Sequence, residues 1–347
     1  MRLKKKKTAL ITGLSGQDGS YLADFLLRKN YIVVGTNRRS ARFTNWRLKR
    51  LGIDNKVIYE EMELSEIYEI QRIFKKYNFD EVYNLAAQSF VGTSFNSPLN
   101  TVNITGLGTL RILETIKSVN PKIKFYQASS SEMFGGGSKK KLNEDSSFEP
   151  KSPYAASKVF AHNITKLYRE SYDLFCANGI LFNHESPFRG ETFVTRKITR
   201  AVGRIHLGIQ NKLTLGNLEA SRDWGFAEDY VYGMWLMMQN DTAEDWVLAT
   251  GETYTVKDFL HEAFSNIDLN WEDYVLTSEK YYRPNEVDFL LGDSSKAKNN
   301  LGWENKTSFK DLVTKMVESD IDLATQEQVL LENKLISPTW EYPSSNS

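Results

Sequence analysis

Tyr154 and Lys158 stand four residues apart in SPYAASK, and upstream Ser129, Ser130, Ser131 and Glu132 run together in QASSSEMFG. Residues at i and i+4 share one face of a helix. An ammonium beside a phenol lowers the phenol's pKa, so this spacing predicts a tyrosinate base working near neutral pH. A glutamate among hydroxyls is a second candidate acid or base. Each pattern is weak alone. YxxxK recurs by chance in a chain with 17 tyrosines, and a serine-glutamate cluster also builds turns and helix caps. At adjoining strand ends the two strengthen each other.

The elements that must position these side chains are legible upstream. TALITGLSGQDG carries apolar residues straight into Gly13, Gly16 and Gly19, a strand turning into a helix through a GxxGxxG spacing. Further strands are predicted at residues 31–35, 57–59, 82–85, 123–128 and 175–182, with helices over 66–76, 106–119, and from Pro153 to about Tyr172. A helix over residues 223–240 is expected to pack back on them. This alternation predicts an α/β fold: a doubly wound parallel Rossmann sheet with a second, smaller mixed α/β substrate domain. The first domain is expected to hold residues 1–182 and about 222–250, the second about 183–221 and 251–330, and residues 331–347 form a loosely held tail.

A glycine turn of this kind lets backbone approach a pyrophosphate while the helix N-terminus offers unpaired N–H groups. It also occurs for structural reasons alone. An NAD site usually carries an acid about 20 residues past the glycines, whereas a 2′-phosphate calls for arginine. Here Thr36-Asn37-Arg38-Arg39-Ser40 holds no acid, so NADP(H) is expected, with Arg38 and Ser40 on the phosphate. The competing reading is a solvated basic turn.

Composition narrows the class. A chain of 347 residues, 41% hydrophobic, has material for a large core. Lys plus Arg and Asp plus Glu both number 44, so no overall field recruits nucleic acid or a membrane surface. One cysteine, Cys176, excludes an intramolecular disulfide, and the lack of a clustered Cys/His set argues against zinc. The apolar run behind Lys4 to Lys7 is too short for a signal peptide, and no window reaches the length of a membrane span. A cytoplasmic protein is expected.

GxxGxxG, SSSE and YxxxK, in that order, resemble the extended short-chain dehydrogenase/reductase family. The chain is most similar to its GDP-mannose 4,6-dehydratase branch, through EVYNLAAQSFV, FYQASSSEMFG, SPYAASK, GILFNHESP, FVTRKI, LGNLEASRDWGFAEDYV and YYRPNEVDFLLGDSSKAK, over roughly residues 8 to 320. The resemblance implies a lyase that oxidises C4 of GDP-mannose through bound NADP, eliminates water across C5 and C6, and returns the hydride to C6. It implies Tyr154 as the C4 base, Lys158 as its partner on the nicotinamide ribose, Ser130 on the C4 oxygen, and Ser131 with Glu132 for the elimination, Glu132 removing the C5 proton. Gly13, Gly16, Gln17, Asp18, Arg38, Arg39, Ser40, Ala41, Glu63, Leu64, Leu85, Ala86, Ala87, Gln88, Ser89, His184 and Arg189 would line the cofactor with Tyr154 and Lys158. Ser89, Glu132, Asn183, Lys197, Arg222 and Arg283 would meet the nucleotide sugar. His184 equally suits a satisfied core histidine, and each arginine a surface ion pair.

Several positions depart from the pattern of that family. Ser130 stands for a usual threonine, Glu63 for an aspartate near the adenine, Asn100 for a tyrosine near the cofactor, and Phe188 for the first arginine of SPRRG. RRSARFTNWRLKRLG replaces a loop that in the family reaches a neighbouring subunit, which bears on whether a homodimer or a homotetramer forms. The loop and Phe188 also admit GDP-manno-heptose as the sugar. An epimerase or 4-keto reductase shares the glycines and YxxxK but needs no C5 base.

Overall fold

The computed structural model describes residues 6–40, 44–136, 139–282, 285–338 and 340. In chain order the first half runs β1 (Thr8–Thr12), α1 (Gln17–Arg28), β2 (Ile32–Asn37), α2 (Trp46–Arg50), β3 (Ile58–Glu61), α3 (Ile67–Lys76), β4 (Glu81–Asn84), α4 (Val91–Asn96) and α5 (Pro98–Thr101). A π-helical turn, Val102–Gly106, leads into α6 (Leu107–Val119), β5 (Lys124–Ser130), a 3-10 turn (Ser131–Phe134), α7 (Pro153–Tyr172) and β6 (Cys176–Leu181). The second half holds β7 (Asn183–Glu185), α8 (Val194–His206), β8 (Leu213–Leu215), β9 (Ser221–Arg222), β10 (Trp224–Phe226), α9 (Ala227–Gln239) and β11 (Asp245–Leu248). It ends with β12 (Tyr254–Thr255), α10 (Val256–Ser265), β13 (Val275–Thr277), α11 (Ser295–Leu301) and α12 (Phe309–Glu332).

Seven strands form one parallel sheet in the order β11-β6-β5-β4-β1-β2-β3. The doubly wound α/β sheet expected from the strand-helix alternation is therefore present. Its order reverses between β1 and β4, and ligands of such sheets bind at the carboxyl ends beside that point. The period-2 geometry of a strand sorts the core. Ala9 and Ile11 face a cluster with Leu22, Leu26, Met234 and Trp303, while Leu10 faces Val34, Ile73, Ile112 and Phe125 on the other side.

Two details differ from the sequence reading. The helix expected over 223–240 begins at Ala227, because Trp224–Phe226 instead pairs in parallel with Asn183–Glu185. The seventh strand, β11, pairs with β6 and was not anticipated; four residues, DWVL, carry too short a period to read. A separate apolar cluster joins α8, α10 and α12 through Ile198, Val202, Phe259, Phe264, Leu312 and Met316. The buried Arg196 clamps α8 to α12, its Nε reaching both Asp320 oxygens at 3.0 and 2.8 Å. Beyond α12, Trp340 lies under the Arg204 guanidinium at 4.2 Å. Among the described residues no helix is long and apolar enough to cross a membrane.

Candidate active site

The glycine turn closes the carboxyl end of β1. Gly13 sits at φ +73°, where a side chain is strained, and donates its N–H to Thr36 O at 2.9 Å. A Cβ on Gly19 would lie 2.4 Å from Gly13 O, so the first turn of α1 can lie on the loop only if this residue is glycine. Gly16 is the N-cap of α1 and supplies no side-chain cap. The first-turn amides of this helix thus face the cleft without a side-chain acceptor, the arrangement an anion needs.

Two polar side chains the motif reading passed over hold this loop. Asn37 Oδ1 accepts from Ser15 N–H at 3.0 Å. Thr12 Oγ1 accepts from the N–H groups of Leu85 and Ala86, both at 3.0 Å, and donates to Asn84 Oδ1 at 2.8 Å. The segment Leu85 to Ser89 is thereby tied to the glycine turn across the switch point. Gln88 N–H reaches Thr105 Oγ1 at 3.3 Å, and Ser89 is exposed. Leu64 is buried, its carbonyl taken by Arg111 Nη1 at 3.1 Å, and Glu63 N–H donates to Glu69 at 2.7 Å. Arg38, Arg39 and Ser40 are exposed just past β2. Ala41 and Arg283 lie outside the described residues.

Beneath the glycines, Asp18 Oδ2 meets His184 Nε2 at 2.9 Å while His184 Nδ1 meets Phe182 O at 2.8 Å. Both partners are acceptors, so the pair is satisfied as imidazolium and carboxylate. Burial opposes both charges, yet His184 holds Asp18 down at about 2, and Asp18 raises His184 above its ordinary 6.5. The Tyr230 ring stacks on the imidazole at 4.6 Å. Gln17 completes the group, donating to Asp18 and to His184 O and accepting from Ser186 Oγ at 2.7 Å. His184 is therefore a satisfied buried histidine, and its partner is a residue of the glycine loop.

Opposite lies α7. Ser152 caps it by accepting from Ala155 N–H at 3.1 Å, and Pro153 fills the first position. The helix presents Tyr154 and Lys158, both buried, to the end of β5. The Ser130 hydroxyl stands beside the Tyr154 phenol and lowers its pKa. Ser130 Oγ also accepts the Glu132 N–H at 3.2 Å, which seats Glu132 on the same edge, largely buried; Ser131 is buried beside it. The charges of Glu132, Arg189 and Asp18 all act on the phenol, so glycine loop, strand edge and helix face one space.

The expected activation of Tyr154 by Lys158 is not what the chain alone shows. Burial pushes the phenol up to about 12, and the group that lowers it most is Ser130. Lys158 Nζ lies 5.8 Å from the phenol ring centre and donates to Ala128 O at 2.6 Å. Burial brings this ammonium down to about 8. Its other N–H donors have no protein acceptor among the described residues, which suits the hydroxyls of a ribose.

The predicted sugar-side residues are spread over the smaller elements. Asn183 begins β7. Lys197 Nζ donates to Thr214 O at 2.7 Å, lies 4.2 Å over the Tyr281 ring, and has its pKa lowered by burial. Arg222 is buried, bonded to Ser221 O at 3.0 Å and paired with Glu286 at 3.4 Å. Arg189 pairs with Glu185 at 3.0 Å and covers the Phe193 ring at 3.7 Å. Next to Arg222, Asp223 is fully buried and gathers the N–H groups of Thr250, Gly251 and Gly292 at 2.8 to 3.2 Å. Burial lifts it to about 6. It staples two segments, at residues 250–251 and at Gly292, to the end of β9, a role RDWG did not announce.

Comparison with known proteins agrees with this geometry. The family model described as GDP-mannose 4,6 dehydratase matches residues 10–316. GDP-mannose 4,6 dehydratase 1 of Arabidopsis thaliana is 52% identical over 340 residues, 95% of this chain and 94% of that protein. GDP-mannose 4,6 dehydratase of Homo sapiens is 44% identical over 345 residues, 92% of this chain and 93% of that protein. Among solved structures, the dTDP-glucose 4,6-dehydratase DesIV of Streptomyces venezuelae, with NAD and TYD bound, superposes with a TM-score of 0.81 at 20% identity, over 92% of this chain and 98% of that one. The last likeness speaks for the fold, and the first three for more: this chain belongs to the GDP-mannose 4,6-dehydratase family.

Proposed function

We propose that the protein is a hydro-lyase converting GDP-D-mannose to GDP-4-keto-6-deoxy-D-mannose, with NADP as its resident cofactor. The observation that carries this reading is the joint placement of Tyr154, Ser130 and Glu132 at one strand edge, facing the glycine loop. The amides of α1, the unused donors of Lys158 and the acid-free basic turn at Arg38 and Arg39 fit an NADP molecule. When bound, the nicotinamide accepts a hydride from the sugar and later gives it back.

The chain's own groups then divide the proton work. Tyr154 must be ionised to act, a state that bound oxidised nicotinamide would favour; in that form Tyr154 receives the C4 hydroxyl proton, while Ser130 orients the C4 oxygen. A ketone at C4 acidifies C5, and Glu132 is the carboxylate on that edge able to take the proton. The C6 hydroxyl leaves as water with the proton that Glu132 has taken from C5, Ser131 hydrogen-bonding the leaving oxygen. Arg222, Lys197, Asn183 and Arg283 are assigned to the GDP-sugar, where forked guanidinium donors match a diphosphate. Glu132 disfavours an epimerase or 4-keto reductase acting at C4, whose reaction leaves the C5 proton in place.

We read residues 1–182 with about 222–250 as the cofactor domain and the elements around α8, α10 and α12 as the sugar domain. A homodimer or homotetramer is supported by exposed apolar side chains on neighbouring helices: Leu99, Val102 and Leu107 beside Phe160 and Leu167 of α7. The buried free thiol of Cys176 fits a reducing cytoplasm. The test is GDP-mannose labelled with deuterium at C4. A 6-deoxy product carrying that label at C6, made without net use of added NADPH, supports the reading; label lost to solvent, or stoichiometric NADPH consumption, ends it.

A further inference from the structure

The helix stripe that presents Tyr154 and Lys158 has a third rung. His162 stands one helical repeat beyond Lys158, buried, and its Nδ1 lies 3.0 Å from Ser129 Oγ. The three rungs meet three consecutive residues of β5: Tyr154 at Ser130, Lys158 at Ala128 O, His162 at Ser129. Behind the ring, His162 Nε2 faces Asp245 Oδ2 of β11 at 3.6 Å. Asp245 is itself held by both Arg169 terminal nitrogens at 3.0 Å and by Asn178 Nδ2 at 2.9 Å. Although burial opposes its charge, His162 and then Arg169 keep Asp245 far below the usual carboxylate range. An ionised Asp245 directs the Nε2 proton toward itself, which in the neutral ring leaves Nδ1 to accept from the Ser129 hydroxyl. The Phe148 ring meets the buried imidazole edge-on at 5.0 Å.

We propose that His162 is a positioning residue of the reaction, locking Ser129 so that the flanking Ala128 carbonyl and Ser130 hydroxyl stay in register with Lys158 and Tyr154. Ser129 lies between the two contacts that orient the reacting pair, so a shift there moves both. The interior is close-packed, and a displacement of about 1 Å at reacting groups costs up to about 100-fold in rate. The inference rests on the dehydratase reading above.

The test compares His162→Phe, which keeps the ring and removes both nitrogens, with His162→Asn, which keeps a polar group at the Nδ1 position, and with Ser129→Ala. With GDP-mannose, His162→Phe is expected to lower kcat roughly 10- to 100-fold while KM and the calorimetric Kd for NADP stay within about twofold. His162→Asn should recover most of kcat, and Ser129→Ala combined with His162→Phe should lose no more than either alone. In the cofactor-free protein, backbone amides of 126–131 and 153–162 should exchange faster in His162→Phe and regain protection in His162→Asn. A purely structural histidine would lower the melting temperature without this kcat-only loss and its rescue. Wild-type kcat in His162→Phe, or an Asn variant no better than Phe, overturns the proposal; should the Phe variant not fold, Ser129→Ala at wild-type kcat overturns it equally. Failure of the unaltered enzyme to dehydrate GDP-mannose strikes the functional reading instead.

Discussion

Replacing Asp18 with asparagine measures the ion pair stored beneath the glycine loop. Asp18 is held at about 2 against an ordinary 3.8, which corresponds to roughly 2 kcal/mol of folding stability at neutral pH. The side chains of Asp18 and His184 are 23% and 10% exposed, so solvent screens the pair only in part. The sign follows from both partners. A depressed carboxyl stabilises above its unfolded pKa, near 4, and loses that contribution as pH falls through about 2. His184, raised above 6.5, stabilises below its unfolded value and loses that contribution as pH rises through its folded one. The two shifts record one attraction and count once. The full effect therefore lies between about pH 4 and pH 6.5. Urea unfolding of the cofactor-free protein at about pH 5.5 should show Asp18→Asn less stable by about 2 kcal/mol, and the gap should narrow at about pH 9. The chain has four histidines, few enough for an NMR titration to follow His184, whose pKa should drop below 6.5 in the variant. A gap of equal size at both pH values, or an unmoved His184, refutes the ion pair.

Glu132→Gln should leave Kd for NADP and GDP-mannose within about twofold while slowing product formation at least about 100-fold; undiminished exchange of the C5 proton with deuterated solvent would remove Glu132 from the elimination. Tyr154→Phe keeps the buried ring but leaves Ser130 without its phenolic partner, so no reduced-nicotinamide absorbance should appear when substrate is added, and normal appearance would contradict its role as base. Arg38→Ala should weaken NADP roughly 10-fold or more and leave NAD almost untouched by calorimetry; a wild-type preference for NAD would dismiss the 2′-phosphate assignment. Phe188→Ala should cost about 3–5 kcal/mol in unfolding experiments, because the ring is buried against Tyr21 and Trp46, and a loss below about 1 kcal/mol would show the stack to be slack.

The six sheet strands read from sequence are those whose apolar runs are bounded by glycines or helical periodicity, a signal local to each segment. β11 escaped because its partner, β6, lies more than 60 residues away in sequence and only that pairing makes four residues a strand. In the site, Tyr154 and Lys158 were legible because one helix sets their spacing. The contacts that matter to them were not: Ser130 reaches the phenol, and Ala128 O takes the ammonium, through the packing of α7 on β5. The same limit hid Asp18 under His184 and Thr12 behind Leu85, pairs separated by 166 and 73 residues. Spacing reveals groups that share an element; groups brought together by tertiary packing leave no such trace.

The departures from the family pattern at Trp46, Arg47 and Phe188 are parts of one packed unit. Phe188 stacks on Tyr21 at 4.8 Å, and Trp46 meets its other side edge-on at 5.5 Å. Between them Arg47 donates Nε to Phe188 O at 2.7 Å and Nη1 to Ser15 O at 2.9 Å. Burial brings this guanidinium down to about 10, and its Cζ lies 4.4 Å over the Trp46 ring. So α2 clips the glycine turn to the segment carrying Arg189, and an aromatic ring at 188 matches an aromatic ring at 46. Trp46, Arg47, Arg50 and Arg189 border a cavity of about 720 Å³ on this flank. The exchange at 188 thus has a packing partner in Trp46 and needs no larger sugar to account for it. The contacts of Ser130 with Tyr154 and with the Glu132 N–H are made at the β5 edge and not through α2, so the chain can rebuild the flank of its glycine loop and still keep that arrangement.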